Sequence, residues 1–438
     1  MPRGFLLPIA VVFALLLSGC TPHSAAFAPI EKALSKDDAK GALAQLEKQK
    51  SANGDRLLYE LNRAMLLRMQ GAYAPSNQAF ESAKKSMEAF DAVSVTEQTG
   101  TFILNDSTAA YAGEEFEQVF VHIYSALNYL QTGDLYGARV EVLQADVRLR
   151  EMAFKGFKGN YQEDALARYL SGVVFEALNE PSDALIGYRK AFQTYQDYQK
   201  HFGVPPPAQL QEDLLRLTEW MGIAQENRDY QKRFKRSNWK PPLRQTSEGE
   251  VVIVASVGLA PIKREHSTVV QMANGRLIRL SLPSYESRPR FATALRAQSE
   301  TFRTQGARYH DVSAIARHTL EVKMPAITAR AIARMALKDR LAKETEKKSG
   351  QLAGLVANLT AVMTETADTR SWLTLPDEIY LARLRLPEGV HDLDVEILGQ
   401  GGGVLMRRHF EGIEIAAGET VFLTPHFIPP GSLNKGQR

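Results

Sequence analysis

The chain contains a single cysteine, Cys20, in 438 residues. One thiol cannot form an intramolecular disulfide, and it cannot build a metal site from several thiolates. The sequence also lacks a paired-histidine zinc motif, a Gly-x-Ser-x-Gly nucleophile elbow and a phosphate-binding P-loop. We therefore assign no catalytic residue, no metal ligand and no cofactor, and we expect a protein that is not an enzyme.

Neither sign of charge dominates. The 53 basic and 50 acidic residues give a formal net charge of +3, which does not favour a nucleic-acid partner. A hydrophobic content of 44% and a charged content of 24% are typical of soluble globular domains. Because 438 residues exceed what one core normally serves, the composition predicts two or three domains.

Long apolar runs are scarce, and the clearest one opens the chain. Arg3 precedes an apolar segment at residues 5–17, a pattern typical of an export signal and too short to span a bilayer. The segment closes on Leu17, Ser18, Gly19 and Cys20. This ending resembles the lipobox of bacterial lipoproteins. The resemblance implies that the signal peptide 1–19 is removed and that acyl chains, palmitate among them, are attached to Cys20. The alternative is an ordinary secretory signal with a chance cysteine.

The residue after the cysteine bears on the membrane to which the protein is sorted. In Gram-negative lipoproteins an aspartate there retains the protein at the inner membrane, whereas this chain has Thr21. The resemblance therefore implies sorting to the outer membrane, with the folded part facing the periplasm; a Gram-positive host would change that address. Residues 20–29 are interpreted as a flexible tether.

Residues 30–227 have apolar residues at helical spacing, which predicts a helical domain. Within it, residues 93–112 are polar and are interpreted as an extended loop. Three sets of residues share one pattern of intervals, seven, five, four and three positions. They are Ala64, Gly71, Ser76, Phe80 and Ala83; Ala126, Gly133, Ala138, Val142 and Ala145; and Gly172, Asn179, Ala184, Tyr188 and Ala191.

Each set predicts two antiparallel helices that pack closely and are joined by a left-handed turn at its Gly or Asn. The pattern resembles the tetratricopeptide repeat (TPR), whose stacked pairs form a superhelix. The distances between sets exceed the usual repeat length, so an irregular helical bundle is the alternative. In the functional interpretation, the concave face of the superhelix holds a peptide or a partner protein.

One segment extends the resemblance. Residues 111–130, with Gly133, Asp134 and the run Ala138-Arg-Val-Glu141, look like a family of proteobacterial outer-membrane lipoproteins. The likeness covers most of the mature chain. It implies an exported, lipid-anchored protein containing repeats, and it assigns no catalytic residues.

A basic segment at 228–249 marks the predicted domain boundary. Its lysines and arginines alternate with Tyr230, Phe234 and Trp239, so that it could contact acidic lipid headgroups. The alternative is the end of a helix followed by a solvated linker.

From residue 250 to residue 425 the pattern changes to strands. Val251-Val-Ile-Val254 predicts a buried strand, and later alternating segments predict an antiparallel meander that we expect to form a small sandwich. A helical insertion at about 311–365 interrupts the strands, with Asp311 as a helix cap and Pro325 opening a second helix. Residues 426–438 are interpreted as a flexible tail. The expected fold is α+β, with a TPR-like helical domain followed by a β-rich domain.

Within the insertion, residues 352–363 are free of charge and too short to span a bilayer. Packing inside the domain, docking to a membrane and contact with a second copy are all left open for them. After the insertion, Arg370 and Trp372 are of the residue types that dominate binding hot spots. Alternatively, Trp372 fills the core and Arg370 pairs with Asp368. His310 is interpreted as part of a capping pair with His318 on a surface helix, with a metal or acid–base role as the alternative.

These observations favour a non-enzymatic, lipid-anchored scaffold or adaptor of the cell envelope, which binds an unidentified protein partner through its repeats. One alternative is an envelope enzyme acting on peptidoglycan or polysaccharide, with a site formed only in three dimensions. Another is an oligomeric component of an export or envelope assembly, in which the partner includes further copies of the chain.

Overall fold

A computed structural model describes residues 23–49, 55–91, 110–154, 163–237, 239–240, 247–271 and 277–433. The predicted signal peptide, the lipobox residues Leu17, Ser18 and Gly19, and Cys20 lie outside this part of the chain. So does most of the loop predicted at 93–112.

The N-terminal half is a helical region, consistent with a TPR-like arrangement in which successive helices pack against each other. Its helices are α1 His23–Leu34, α2 Ala39–Glu47, α3 Arg56–Met69, α4 Tyr73–Asp91, α5 Glu115–Gln131, α6 Leu135–Phe154, α7 Ala165–Ala177, α8 Pro181–Phe202, α9 Ala208–Trp220 and α10 Ala224–Arg233. The turns at Gly71, Gly133 and Asn179 have φ of 78°, 76° and 60°, the left-handed region that an L side chain rarely adopts. Each turn joins the two helices of a pair.

The C-terminal half is a sheet domain. Its strands are β1 Glu248–Val257, β2 Ile262–Gln271, β3 Leu277–Glu286, β4 Ala294–Gln298, β5 Arg303–Asp311, β6 Glu378–Pro387, β7 Gly389–Leu398, β8 Val404–Ile415, β9 Thr420–Leu423 and β10 His426–Phe427. Within the described residues the main sheet runs β10-β1-β6-β5-β4-β7-β8, with β9 also on β1. Its pairs are antiparallel except those of β1 with β9 and β10, which are parallel. Strands β2 and β3 form a separate hairpin.

The predicted sandwich of two sheets is wrong, because the main sheet is a single curled sheet. Its inner face packs against itself, and its outer face packs against the helices. On β1, Val251 and Ile253 face inward and pack with inward residues of the other strands. Val252 and Val254 face the helices and join their core. The curl brings the end of β8 back to the start of β1, where a Cβ on Gly249 would lie 2.5 Å from the Ala416 carbonyl oxygen.

Two helices separate β5 from β6: α11 Val312–Ser349 and α12 Gln351–Met363. Asp311 caps α11 by accepting from the Ala314 amide at 2.8 Å. Pro325 does not open a second helix, because α11 runs through it for 38 residues, about 57 Å at 1.5 Å per residue. Proline removes only one backbone donor, and Pro325 lies exposed, where water can satisfy the freed carbonyl. We call β2, β3, α12 and residues 326–349 of α11 the arm.

Three predicted boundaries need correction. The tether at 20–29 is helical from His23, because Phe27 is buried with Ile30 in a small core. The flexible tail predicted at 426–438 begins with strand β10, whose Phe427 is fully buried. The linker predicted at 228–249 is shorter, since α10 continues to Arg233 and β1 begins at Glu248.

Candidate interaction site

Trp372, a predicted binding residue, lies completely buried between the two halves of the chain. Its ring meets Phe80 and Tyr124 edge-on, with centroid distances of 5.9 and 6.4 Å. The indole N–H donates to Thr374 Oγ1 at 2.9 Å, and the Thr374 hydroxyl donates to Asn62 Oδ1 at 2.9 Å. A side chain enclosed in this way cannot contact a partner, so the alternative of a core residue is the correct one.

Arg370 lies at the edge of the same junction. Its guanidinium donates to Asp368 Oδ2 at 2.8 Å and to Asp55 Oδ1 at 3.2 Å, and it lies 5.4 Å from the Tyr111 ring centroid. Burial is the largest single effect on its pKa and lowers it, but the hydrogen bonds and charges of Asp368 and Asp55 together outweigh burial and raise the pKa. Arg370 therefore holds the segment after the arm against the helical region, and its charge is already paired.

The inner face of the helical region is covered by the sheet of the same chain. The core beneath Trp372 joins helical residues such as Phe120 and Tyr169 to Val252, Tyr309 and Phe422 of the sheet. Further bonds cross the junction, for example from the Tyr195 hydroxyl to the Tyr309 carbonyl at 2.9 Å. These residues form an internal interface rather than an open binding groove.

The predicted repeat-packing residues lie at the helix contacts of this region. The buried ones are Ala64, Phe80, Ala83, Ala126, Ala138, Gly172, Ala184, Tyr188 and Ala191, while Gly71 and Gly133 form turns. A residue that the spacing did not reveal is Gly187, where a Cβ would lie 2.7 Å from the Gly172 amide nitrogen. The two glycines therefore allow α7 and α8 to approach closely.

A cleft of about 500 Å³ opens where residues 110–115 meet β2, β3 and α11. In its wall, Glu114 accepts from Lys263 and Lys323, each at 2.7 Å. Burial favours the neutral acid, but the two lysines outweigh it and hold the Glu114 pKa well below its usual range. This ion cluster fastens the root of the arm to the start of α5.

Glu117, one turn further along α5, has the opposite shift. Burial first, and the charge of Glu114 second, raise its pKa to about 7. Its oxygens accept from the Trp372 amide at 2.7 Å, the Tyr111 hydroxyl at 2.5 Å and the Glu114 amide at 3.0 Å. Because these internal donors occupy both oxygens, Glu117 is placed to link elements and not to exchange a proton with a substrate in the cleft.

His310 is a further residue whose interpretation changes. It lies on β5 and is fully buried, not on a surface helix, and its Nε2 lies 2.8 Å from Asp164 Oδ2. Asp164 also caps α7 by accepting from the Ala167 amide at 2.6 Å. The pair connects a helix start to the sheet across a long stretch of sequence. His318 is separate from it and packs against the rings of His201 and Phe202.

The aromatic residues of the basic segment are partly accounted for by packing. The rings of Tyr230 and Phe234 stack at 5.3 Å, and Phe234 meets Phe192 of α8 edge-on at 5.3 Å. Arg233 lies over the Phe192 ring, 4.7 Å from its centroid. This part of the segment is therefore the end of the helical region, as the alternative interpretation predicts.

Helix α6 has apolar residues on two faces. One face is buried in the core through Ala138, Val142, Ala145 and Leu149. The other is exposed, with 70% of Tyr136 and 55% of Val140 accessible to solvent. The exposed set, which we call the α6 stripe, consists of Tyr136, Val140, Leu143 and Val147. Contiguous exposed apolar residues of this kind are typical of an interaction surface.

The arm encloses several charged and polar side chains. Its interior holds Arg334 and Glu365, both nearly inaccessible and paired at 3.1 Å, with Lys338 on the second Glu365 oxygen at 2.7 Å. Asn358 of α12 also points inward and pairs with the backbone amide and carbonyl of Leu277 on β3.

The outer face of α12 is apolar, whereas the α11 part of the arm exposes charged side chains such as Arg340 and Glu344. Leu352 is 73% and Leu355 55% exposed, and Val356 and Leu359 continue the same face of α12 at helical spacing. We call these four residues the α12 face. Packing inside the domain is one of the alternatives for residues 352–363. It does not account for the large apolar side chains of the α12 face, because these are exposed.

In the part of the chain that the structure describes, no group of three or more His, Cys, Asp or Glu side chains is arranged to hold a metal ion. Across the same ranges, no helix combines the length and apolarity that crossing a membrane requires.

No family model and no curated protein matches the chain. Among solved structures, one titled "MamA MSR-1 C2" is similar at 15% identity, covering 48% of this chain and 90% of that chain with a TM-score of 0.28. The crystal structure of BtubC (BKLC) from P. vanneervenii is similar at 16% identity, covering 50% of this chain and 82% of that chain with a TM-score of 0.31. At such low scores the likeness carries no conclusion about this chain.

Proposed function

We propose that the chain is a non-enzymatic, lipid-anchored scaffold of the cell envelope, which binds a protein partner through the outer side of its helical region. In this proposal Cys20 carries the lipid, the outer membrane holds the anchor and the folded part lies in the periplasm. The anchor is motivated by the lipobox-like ending of the signal sequence. The partner site is motivated by the α6 stripe.

The α6 stripe supports a partner site because it has no role inside the fold. Tyr136, Val140, Leu143 and Val147 lie opposite the face of α6 that contacts the core. Burying a large apolar side chain of this kind against a partner would contribute about 1.5–3 kcal/mol to the free energy of binding. The inner face, which a TPR-like superhelix would offer to a partner, is occupied by β1, β5 and Trp372. The outer side is therefore the part of the helical region that remains available.

The shape of the stripe favours one class of partner, a protein that presents an apolar helix. From Tyr136 to Val147 the stripe follows one helix face for about 16 Å, at 1.5 Å per residue. A second helix can pack along such a row by placing its ridges in the grooves between the side chains. The charged neighbours Arg139 and Arg150 already pair with Glu180 and Asp146, so apolar contact is the main attraction.

The test is site-specific photo-crosslinking in intact cells. A photo-reactive residue at Val140 is expected to capture one defined envelope protein. The same residue at Gln193, an exposed polar position on α8, is the matched control and is expected to capture none. The variant Leu143→Asp should abolish capture from Val140 without changing the thermal stability. A monomeric protein that gives no product from any position on the stripe would remove the proposal.

The second candidate is an oligomeric component of an envelope assembly, and the arm is the observation that favours it. The α12 face exposes Leu352, Leu355, Val356 and Leu359, while Arg334 and Glu365 are enclosed. Exposed apolar side chains on one helix face are stabilised when something apolar covers them. A second copy of the chain is one such cover, and its test is described in the Discussion.

A further inference from the structure

A cavity of about 150 Å³ opens between the start of the helical region and the end of the sheet, away from the α6 stripe and the arm. Its walls come from the end of α3, the start of α4, strand β8 and the turn before β10. The apolar part of the lining includes Met69, Phe410 and Ile428. The polar part includes Arg68 and Arg408.

Arg68 is the unusual member of this lining. Only 4% of it is exposed, and its guanidinium donates to Asn128 Oδ1 and to the Thr424 carbonyl, the latter at 3.0 Å. It also lies 5.8 and 5.4 Å from the ring centroids of Tyr73 and Tyr124. All these partners are neutral. Burial lowers the Arg68 pKa, which reflects the same missing counter-charge.

The other buried arginines in the described ranges show what Arg68 lacks. Each of them pairs with at least one carboxylate: Arg168 with Asp146 and Glu163, Arg288 with Glu31, Arg334 with Glu365, and Arg370 with Asp368 and Asp55. Within those ranges no carboxylate lies within ion-pair distance of Arg68. A buried charge without a partner is costly, so an open cavity beside it is a place where an anion would be stabilised.

The remaining charged and titratable groups do not supply the missing anion. Arg408 adds a second cation to the lining, and its carboxylate partner Asp37 lies at the exposed rim, 2.8 Å away. His426 is half-buried and supplies no anion, because burial and the two arginines lower the pKa of its imidazole to about 3, which favours the neutral form. The interior of the cavity is therefore positive, with apolar walls.

We propose that this cavity binds a single carboxylate carried on a short apolar body, with Arg68 as the counter-charge and Met69, Phe410 and Ile428 around the body. A monoanion matches the one unpaired guanidinium, which can donate to both oxygens of a planar carboxylate. The volume accommodates one aliphatic residue, such as the C-terminal residue of a peptide. This inference does not depend on the proposed scaffold function.

The test is titration calorimetry on the purified full-length chain in detergent, with three probes. N-acetyl-leucine carries the carboxylate and the apolar body, N-acetyl-leucinamide lacks the charge, and inorganic phosphate lacks the body. We expect N-acetyl-leucine to bind and the amide to bind about tenfold to a hundredfold more weakly, the range for a charged hydrogen bond. Equal binding of acid and amide, tighter binding of phosphate, or no binding of N-acetyl-leucine would overturn the proposal.

Two variants locate the site, and a third is the control. Arg68→Met should weaken N-acetyl-leucine binding to the level of the amide. Ile428→Trp fills the cavity while leaving the hydrogen bonds of Arg68 intact, so it should also abolish binding even if Arg68→Met does not fold. Arg150→Met removes an exposed arginine of α6 outside the cavity and should bind as the parent does. Retained binding in Ile428→Trp would overturn the assignment.

Discussion

The backbone N–H of Trp372 donates to Glu117 Oε1 over 2.7 Å, and this bond joins the chain leaving the arm to the first turn of α5. Glu117 is nearly inaccessible and lies close to the charge of Glu114. The junction between the two halves therefore depends on a carboxyl whose pKa, about 7, lies within the physiological range.

The pH dependence of stability follows from that shift. The Glu117 pKa is about 7 in the folded chain against 4.5 for the unfolded group, so the folded state holds the proton more tightly. Glu117 therefore contributes about 3 kcal/mol to the free energy of unfolding. This contribution is fully present below pH 4.5 and is lost as the pH rises to 7. Glu117→Gln carries no titrating proton and should lack this loss. The measurement is urea unfolding between pH 4.5 and pH 8.

The comparison between parent and variant isolates Glu117 from other groups. The lowered pKa of His426 has the opposite sign, since its contribution is present above pH 6.5 and is lost as pH falls towards 3. That effect is common to both proteins and cancels in the difference. A difference in free energy that stays constant from pH 4.5 to pH 8 would contradict the assignment.

The close approach of α7 and α8 makes a second prediction. In Gly187→Ala the new Cβ would lie 2.7 Å from the Gly172 nitrogen and 2.9 Å from its Cα, atoms that move only if the helices separate. We expect a loss of about 2 kcal/mol in the free energy of unfolding, as for an overpacked core. Gly403→Ala is the matched control, because its φ of −68° suits alanine and no atom lies within 4 Å of the new Cβ. Equal stability of the two variants would show that the helices can adjust.

The sequence predicted those features that depend on near neighbours along the chain. Val251 to Val254 form a run without polar residues, and the strand they form is buried on both sides because it packs against the inner sheet layer and the helices. The turns at Gly71 and Gly133 could be located because a left-handed residue between two helical patterns favours glycine. Both inferences need only local spacing.

The interior of the candidate sites could not be predicted, because it joins residues that are distant in sequence. The hydrogen bond between Asp164 and His310 spans 146 positions, and neither residue has a local pattern that indicates the other. Trp372 gave the same signal for a hot spot as for a core residue, and only the position of Phe80 and Tyr124 decides between them. On α12, the sequence left three environments open for residues 352–363, and only the structure shows that Leu352 and Leu355 are exposed.

The proposed lipid anchor makes a third prediction, on residues outside the described part of the chain. Cys20→Ser should abolish incorporation of labelled palmitate and release the protein into the soluble periplasmic fraction, because in the proposal this one residue carries the whole anchor. Thr21→Asp should keep the label but move the protein to the inner membrane in a Gram-negative host. The measurement is metabolic labelling followed by membrane fractionation. Palmitate incorporation that survives Cys20→Ser would rule out the anchor.

The arm makes the fourth prediction, which concerns the candidate role in an oligomeric assembly. If a second copy covers the α12 face, the purified protein in detergent should have a mass of at least two chains. Leu355→Asp places a carboxylate in that contact, and burying an unpaired charge costs enough to dissociate it. Because Leu355 is exposed in the single chain, the substitution should change the free energy of unfolding of the protein by no more than about 0.5 kcal/mol. The measurement is light scattering coupled to size-exclusion chromatography.

Gln351→Asp is the control for that experiment, since it adds the same charge to an exposed polar position of the same helix. It should leave the mass unchanged. A parent protein with the mass of one chain at every concentration would exclude the second copy as the cover. Vesicle flotation then tests whether lipid covers the α12 face. The experiment uses the Cys20→Ser chain, which carries no acyl chain. If the α12 face docks to lipid, adding Leu355→Asp to this chain should reduce its binding to vesicles. If the substitution changes neither mass nor flotation, photo-crosslinking from Leu352 in intact cells tests for a different protein as the cover.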